Sequence, residues 1–216
     1  MANVLTYPAV LFDLDGTLAN SVDLIVASYR FAFDQVTGRQ ISRQEACSWI
    51  GQTLPQTFAR QDPVNATSLE AAYRQYNNAN FDQIEPYPGV DELVAALVGA
   101  GAVVGVVTAK GRQAAEETLR RVGLDGLITV LGARDDTPSH KPDPAPLLAA
   151  LAKVGQTPKS AAYVGDAVFD VQAAQAAGMA AVAVTWGAGQ AGELAALAPD
   201  AICRDADELA AVLFVT

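Results

Sequence analysis

Five short apolar runs recur along the chain, and between them lie segments whose apolar residues return with helical spacing. The first run ends at Phe12, and the others cover Ala102–Val107, Leu127–Leu131, Ala161–Val164 and Ala180–Val184. The helical segments are Val90–Val98, Arg112–Val122, Pro144–Val154 and Val168–Ala177. Strands alternating with helices in this way predict a parallel sheet covered on both faces. In open sheets of that kind ligands bind beyond the carboxyl ends of the strands, near the switch in strand order. The residues that follow the strands are therefore the ones to read for chemistry.

The first strand runs Val10-Leu11-Phe12 into Asp13-Leu14-Asp15-Gly16-Thr17. Alternation puts residues two apart on one side, so Asp13 and Asp15 can face one point where the strand ends. An Asp pair before a glycine is also what a turn looks like, and alone it decides nothing. Further polar residues fall at the same predicted edge. Thr108 ends a strand in Val-Val-Thr-Ala-Lys, Lys141 lies in His-Lys-Pro-Asp-Pro, and Asp166 and Asp170 lie in Tyr-Val-Gly-Asp-Ala-Val-Phe-Asp. Each taken singly reads equally well as a helix cap, a turn residue or a solvated charge. Taken together they form one constellation.

Residues 19–86 break the alternation, because they show helical periodicity without a strand. Ser42 with Glu45 and Thr53 with Gln56 fit capping boxes, and Asn65 or Thr67 can open a further helix to about Phe81. Pro86, Pro88 and Gly89 then punctuate the return. The expected organisation is a core domain of residues 1–18 and 87–216, with an all-helical cap of residues 19–86 standing over the site as a lid.

Composition removes several function classes. A chain of 216 residues can make one large domain or one domain with a small insert, and its apolar share of 51% is that of a globular protein. No apolar run approaches the roughly 18 residues of a membrane helix. Met1–Ala9 has neither a basic cluster nor an apolar run of signal-peptide length, so a cytoplasmic location is expected. Two distant cysteines and a single histidine support neither a disulfide scaffold nor a Cys/His zinc site. The net charge of −10 repels a phosphate backbone and argues against nucleic acid. An acidic surface of this kind suits a monomer or a homodimer.

In order and type these residues resemble the four motifs of the haloacid dehalogenase-like (HAD) phosphatases, in the group with a helical cap between the first two motifs. The resemblance covers essentially the whole chain. It implies an α/β fold with a Rossmann-like doubly wound parallel sheet, and a magnesium-dependent enzyme. By the same resemblance Asp13 is the nucleophile that forms an aspartyl-phosphate, and Asp15 is the general acid and base. Magnesium is then held by Asp13, Asp166 and the backbone carbonyl of Asp15, with Asp170 as an outer or water-mediated partner. Thr108, with Ala109, contacts the transferring phosphoryl group, Lys141 neutralises phosphate and nucleophile, and Thr17 shapes the loop. Cations are needed on physical grounds, since two like unit charges 4 Å apart repel by roughly 4 kcal/mol at an effective dielectric near 20. Within this superfamily Asp15 argues against dehalogenation, where no leaving group needs a proton. A phosphonate hydrolase would need a cap lysine, and the first lysine here is Lys110, beyond the cap.

Trp49-Ile50-Gly51-Gln52-Thr53-Leu54 resembles the cap loop that dips toward the site in phosphoglycolate-phosphatase-like members. Gly51 permits close approach and Gln52 or Thr53 can contact substrate, although a plain turn capped by Thr53 fits the same residues. The cap carries five arginines against seven acids. Among them Arg60, one short helix after the loop, is the candidate for binding a substrate carboxylate. Val106–Arg112 and Val184–Gly187 resemble the phosphoglycolate phosphatase and pyrophosphatase branch, so the expected partner is a small phosphorylated metabolite. A β-phosphoglucomutase-like sugar mutase is the rival, weakened because such enzymes commonly place a histidine early in the cap. The chain's one histidine, His140, reads as a loop residue. An inactive phosphate-binding or interaction protein on the same fold is the alternative of another class.

Overall fold

From the amino end the chain forms β1 (Val4–Leu5) and then β2 (Ala9–Phe12), whose four residues are all buried. The computed structural model describes residues 4–215. Val10 and Phe12 pack into one apolar cluster while Ala9 and Leu11 pack into another, so β2 is covered on both faces. A tight loop leads to β3 (Ala19–Asn20), followed by α1 (Val22–Thr37), α2 (Arg43–Cys47), α3 (Leu54–Gln61) and α4 (Ala66–Ala79). The excursion closes at β4 (Glu85–Pro86), which pairs antiparallel with β3.

Helix and strand then alternate through α5 (Val90–Gly99), β5 (Val103–Val107), α6 (Arg112–Arg121), β6 (Thr129–Gly132), α7 (Ala145–Lys153) and β7 (Ala161–Gly165). After these come α8 (Val168–Ala177), β8 (Ala180–Val184), α9 (Ala191–Ala196), β9 (Ala201–Cys203), α10 (Ala206–Leu213) and β10 (Phe214–Val215), the last pairing with β1. Six strands make one parallel sheet in the order β6-β5-β2-β7-β8-β9. The chain runs outward from β2 through β5 to β6, then returns to the other side of β2 with β7. That reversal opens a crevice at the carboxyl end of β2.

This is the doubly wound α/β sheet expected from the sequence. The run Leu127–Leu131 forms its strand later, at Thr129–Gly132, because the amides of Leu127 and Ile128 are taken by the Leu124 carbonyl in a turn. The edge strand β9 and the β1–β10 pair lie outside the predicted runs.

The four helices after β3 have an apolar cluster of their own, built on aromatic side chains. Tyr29 packs edge-on against Trp49 and Phe58 at 5.2 and 5.5 Å between ring centroids, and against Tyr73 at 4.8 Å. Aromatic pairs of this kind add about 0.5–1.5 kcal/mol each beyond their burial. Both predicted capping residues act. The Ser42 hydroxyl accepts from the Glu45 amide at 3.1 Å, and that of Thr53 accepts from the Gln56 amide at 3.4 Å. Asn65 precedes α4 without capping it, because its side chain donates to Asp62 instead. Phe81 falls beyond α4, in a short 3₁₀ turn. Among the described residues no helix is long and apolar enough to cross a membrane.

Candidate active site

Where β2 ends, the Asp13 amide donates to the Val164 carbonyl of β7 at 2.8 Å, which ties the following loop to the neighbouring strand. Leu14 turns into the core, and its carbonyl accepts from the amides of Thr17, Leu18 and Ala19. Asp13 and Asp15 are thereby left facing one cavity, as alternation predicts. Gly16 is required twice over: its φ is +85°, and a Cβ there would overlap the Asp166 carboxylate.

Asp166 follows β7 and is fully buried. One of its oxygens accepts from the Thr17 hydroxyl at 2.9 Å and the other from the Ala188 amide at 2.7 Å. Thr17 thus does more than shape its loop; it holds Asp166. Asp170, in the first turn of α8, accepts from the Ala167 amide at 2.9 Å and from Lys141 Nζ at 2.5 Å. Lys141 Nζ also donates to Asp13 at 2.9 Å and to the Tyr163 hydroxyl at 3.0 Å. Tyr163 in turn donates to the Val107 carbonyl at 2.7 Å, so the lysine is seated on the sheet itself.

Burial dominates the electrostatics of this floor. It pushes the Asp13 carboxyl up to about 7, against the pull of Lys141 and with a further push from Asp170. Asp166 is raised well above the usual carboxylate range, first by burial and then by the charges of Asp170 and Asp13. Lys141 is opposed by burial, yet Asp13 and Asp170 hold it firmly protonated. One ammonium therefore serves two of three buried acids, and Asp166 has only neutral donors.

Asp13, Asp166 and Asp170 each bring a carboxylate oxygen within 4.8 Å of the others. Such a negative excess, costly in a dry interior, is what a divalent cation relieves. An all-oxygen donor set suits a hard cation. The Asp15 carboxylate stands apart from this group, accepting from Ser21 Oγ at 2.7 Å and Lys110 Nζ at 2.8 Å.

Above the floor lies a cavity of about 100 Å³ between the sheet edge and the helices of 22–79. Thr108 closes β5 there. Its amide donates to the Gly132 carbonyl at 3.0 Å, and its hydroxyl accepts from the Lys110 amide at 3.2 Å. Ala109, Gly51 and Gln52 line the cavity as the sequence suggests. At Gly51 φ is +95°, and a Cβ would come within 2.9 Å of Ala167 and 3.1 Å of Phe169, so the loop rests on the core through this residue.

Arg60 corrects its expectation. The inward stripe of α3 is Leu54, Thr57, Phe58 and Gln61, which leaves Arg60 exposed and off the cavity. Arg74, Lys110 and Arg134 line it instead. Both Lys110 and Arg134 follow strands at the edge already identified, and that position was the available signal. His140 is a half-buried loop residue whose imidazole is pushed down by burial and by Arg134.

A carboxylate pair at the switch point of a doubly wound sheet, with a buried lysine and a buried aspartate group that fits a divalent cation, is the arrangement of a phosphohydrolase. Residues 10–184 match the family described as haloacid dehalogenase-like hydrolase, and the chain belongs to that family and is a phosphatase. It is 36% identical over 205 residues to pyrophosphatase PpaX of Bacillus cereus, covering 94% of this chain and 95% of that protein. It is also 34% identical to pyrophosphatase PpaX of Bacillus pumilus, with 98% of each covered. Among solved structures, a predicted phosphoglycolate phosphatase from Haemophilus somnus superposes with a TM-score of 0.83 at 29% identity, over 95% of this chain and 97% of that one. Hydrolases of this family generally use a divalent metal, and the buried aspartate group fits one.

Proposed function

We propose that this chain is a magnesium-dependent phosphatase that hydrolyses inorganic pyrophosphate or a small phosphomonoester of the phosphoglycolate kind through an aspartyl-phosphate. An Asp13 carboxylate oxygen attacks phosphorus and the bond to the leaving oxygen breaks, with Asp15 giving that oxygen its proton. Asp15 then takes a proton from water, whose oxygen attacks the same phosphorus and releases phosphate and free Asp13. Lys141 holds Asp13 in line and offsets its charge, while the Thr108 hydroxyl and the Ala109 amide receive the phosphoryl oxygens. Magnesium, held by Asp13, Asp166 and the Asp15 carbonyl with Asp170 behind them, would supply the remaining positive charge.

The observation that carries this reading is Asp13 itself. It stands at the switch point 2.9 Å from Lys141 and beside Asp166 and Asp170, with Asp15 facing the same cavity. Residues 19–86 act in it as a cap domain, the roof that selects the substrate. A small leaving group is favoured because about 100 Å³ holds fewer than about ten water-sized groups at roughly 10–15 Å³ each. The named activity of the pyrophosphatase relatives points the same way. The substrate is a free metabolite of the cytoplasm, met by a monomer or homodimer whose charge of −10 keeps nucleic acid away.

The test is a screen of pyrophosphate, 2-phosphoglycolate, sugar phosphates and nucleotides with magnesium, read as kcat/KM. The highest value is expected for one of the first two. Protein inert across the panel and indistinguishable from Asp13→Asn would overturn the reading.

A further inference from the structure

Three cations stand on the cavity wall of a molecule whose overall charge is −10. Among the described residues Asp13 and Asp15 are the only acids that line the same space. Lys110 Nζ spends one N–H on Asp15. Arg134 is held from behind, its Nε and Nη2 donating to Asp135 at 3.0 and 2.8 Å, and among the described residues its Nη1 has no protein acceptor. Asp135 is itself fixed, because its other oxygen accepts from the Arg112 amide at the start of α6 at 2.9 Å. The Arg134 amide donates to the Lys110 carbonyl at 3.0 Å, which binds the two cation-bearing loops together. Arg74 completes the group from α4, steadied by Glu70. Asp135 does not line the cavity, so Arg134 is anchored from outside it, whereas Arg74 and Glu70 together also line a neighbouring surface pocket.

We infer that Lys110, Arg134 and Arg74 form a subsite for the second, non-transferred phosphate of pyrophosphate, an inference that rests on the phosphatase reading above. A leaving phosphate carries more negative charge and more acceptor oxygens than a carboxylate, and Lys110 and Arg134 keep N–H groups beyond those bound to Asp15 and Asp135 to meet them. The planar guanidinium fork suits two oxygens of one phosphate. Lys110 spans from Asp15 to this group, so the cation that steadies Asp15 also touches the leaving phosphate. Lys110 and Arg134 are specificity-determining residues in this arrangement.

The test compares pyrophosphate, 2-phosphoglycolate and p-nitrophenyl phosphate, the last having no second anionic group, in wild type, Arg134→Leu, Arg134→Lys and Lys110→Met at saturating magnesium. Arg134→Leu and Lys110→Met are each expected to lower the ratio of kcat/KM for pyrophosphate over p-nitrophenyl phosphate by about 10–100-fold, the effect of losing one charge-assisted contact. Arg134→Lys, which keeps the charge, recovers part of that ratio and shows that the loss is not one of folding. Calorimetric binding of the uncleavable methylenediphosphonate weakens in parallel. Ratios within about twofold of wild type in both Arg134→Leu and Lys110→Met overturn the subsite. A fall confined to 2-phosphoglycolate overturns its assignment to a phosphate. Wild type inert on all three substrates overturns the phosphatase reading instead.

Discussion

Beneath the cavity Asp13, Lys141, Asp166 and Asp170 are at most 4% exposed; Lys141, Asp166 and Asp170 each have at least two hydrogen-bond partners, and Asp13 is held by Lys141. On the wall the side chains of Lys110, Arg134 and Arg74 are 16%, 24% and 44% exposed, and each is tied to a single acid. Floor charges therefore have no slack, and removing one leaves another stranded in a dry interior. Wall charges sit on long side chains that can be exchanged without disturbing the sheet. On the proposed reading, chemistry is fixed by the sheet and choice is made by the more exposed side chains of the wall.

Breaking the floor should cost most. In Asp13→Asn the amide cannot form the aspartyl-phosphate, and kcat is expected to fall on the order of 10⁴-fold or more, read in a phosphate-release assay. Retention of more than about 1% of activity would remove Asp13 from the nucleophile's role. Lys141→Met strands Asp13 and Asp170 together. In chelator, urea unfolding should show a loss of about 3–5 kcal/mol, and a loss below about 1 kcal/mol would mean that the lysine is not what stabilises the floor.

The smallest effect separates floor from wall by pH. Folded Asp13 titrates at about 7, whereas an unfolded aspartate titrates near roughly 3.9. Between those values the folded chain holds a proton that the unfolded chain has released. Without a divalent cation, stability should therefore fall as pH rises through that window and level off above it, and Asp166 adds to the same trend. A cation competes with that proton, so magnesium should raise Tm more at pH 8 than at pH 5.5, by a few degrees. Equal shifts at the two pH values would mean that burial is not the main charge cost on the floor.

Much of the floor was legible in the sequence because Asp13 and Asp166 directly follow buried apolar strands and Asp170 opens the next helix, where position and chemistry coincide. The helices were legible too, with Val168–Ala177 found at its predicted bounds. Short elements were not: three residues at Ala201–Cys203 offer no alternation to read. Arg60 was chosen for its nearness in sequence to the cap loop, and a helix turn carried it away. Lys110 and Arg134 carried the strand-end signal, but a lone basic residue after a strand looks like any solvated charge until a cavity gives it a direction. Thr17 escaped because its partner, Asp166, is 149 residues distant.

The small pair of β3 and β4 bears on how the sheet assembles. Ala9 must find Val103 across most of the first half of the chain, and the segment between them holds five α-helices, α1 to α5. Once Ala19 meets Pro86, the excursion is bypassed and the link left to close is several times shorter. Loop-closure entropy grows by about 0.6 kcal/mol per doubling, so a roughly fourfold shortening recovers about 1.2 kcal/mol. The register of the central strands becomes nearly indifferent to how many residues the roof contains, which leaves the roof free to lengthen or shorten while the sheet beneath it folds as before.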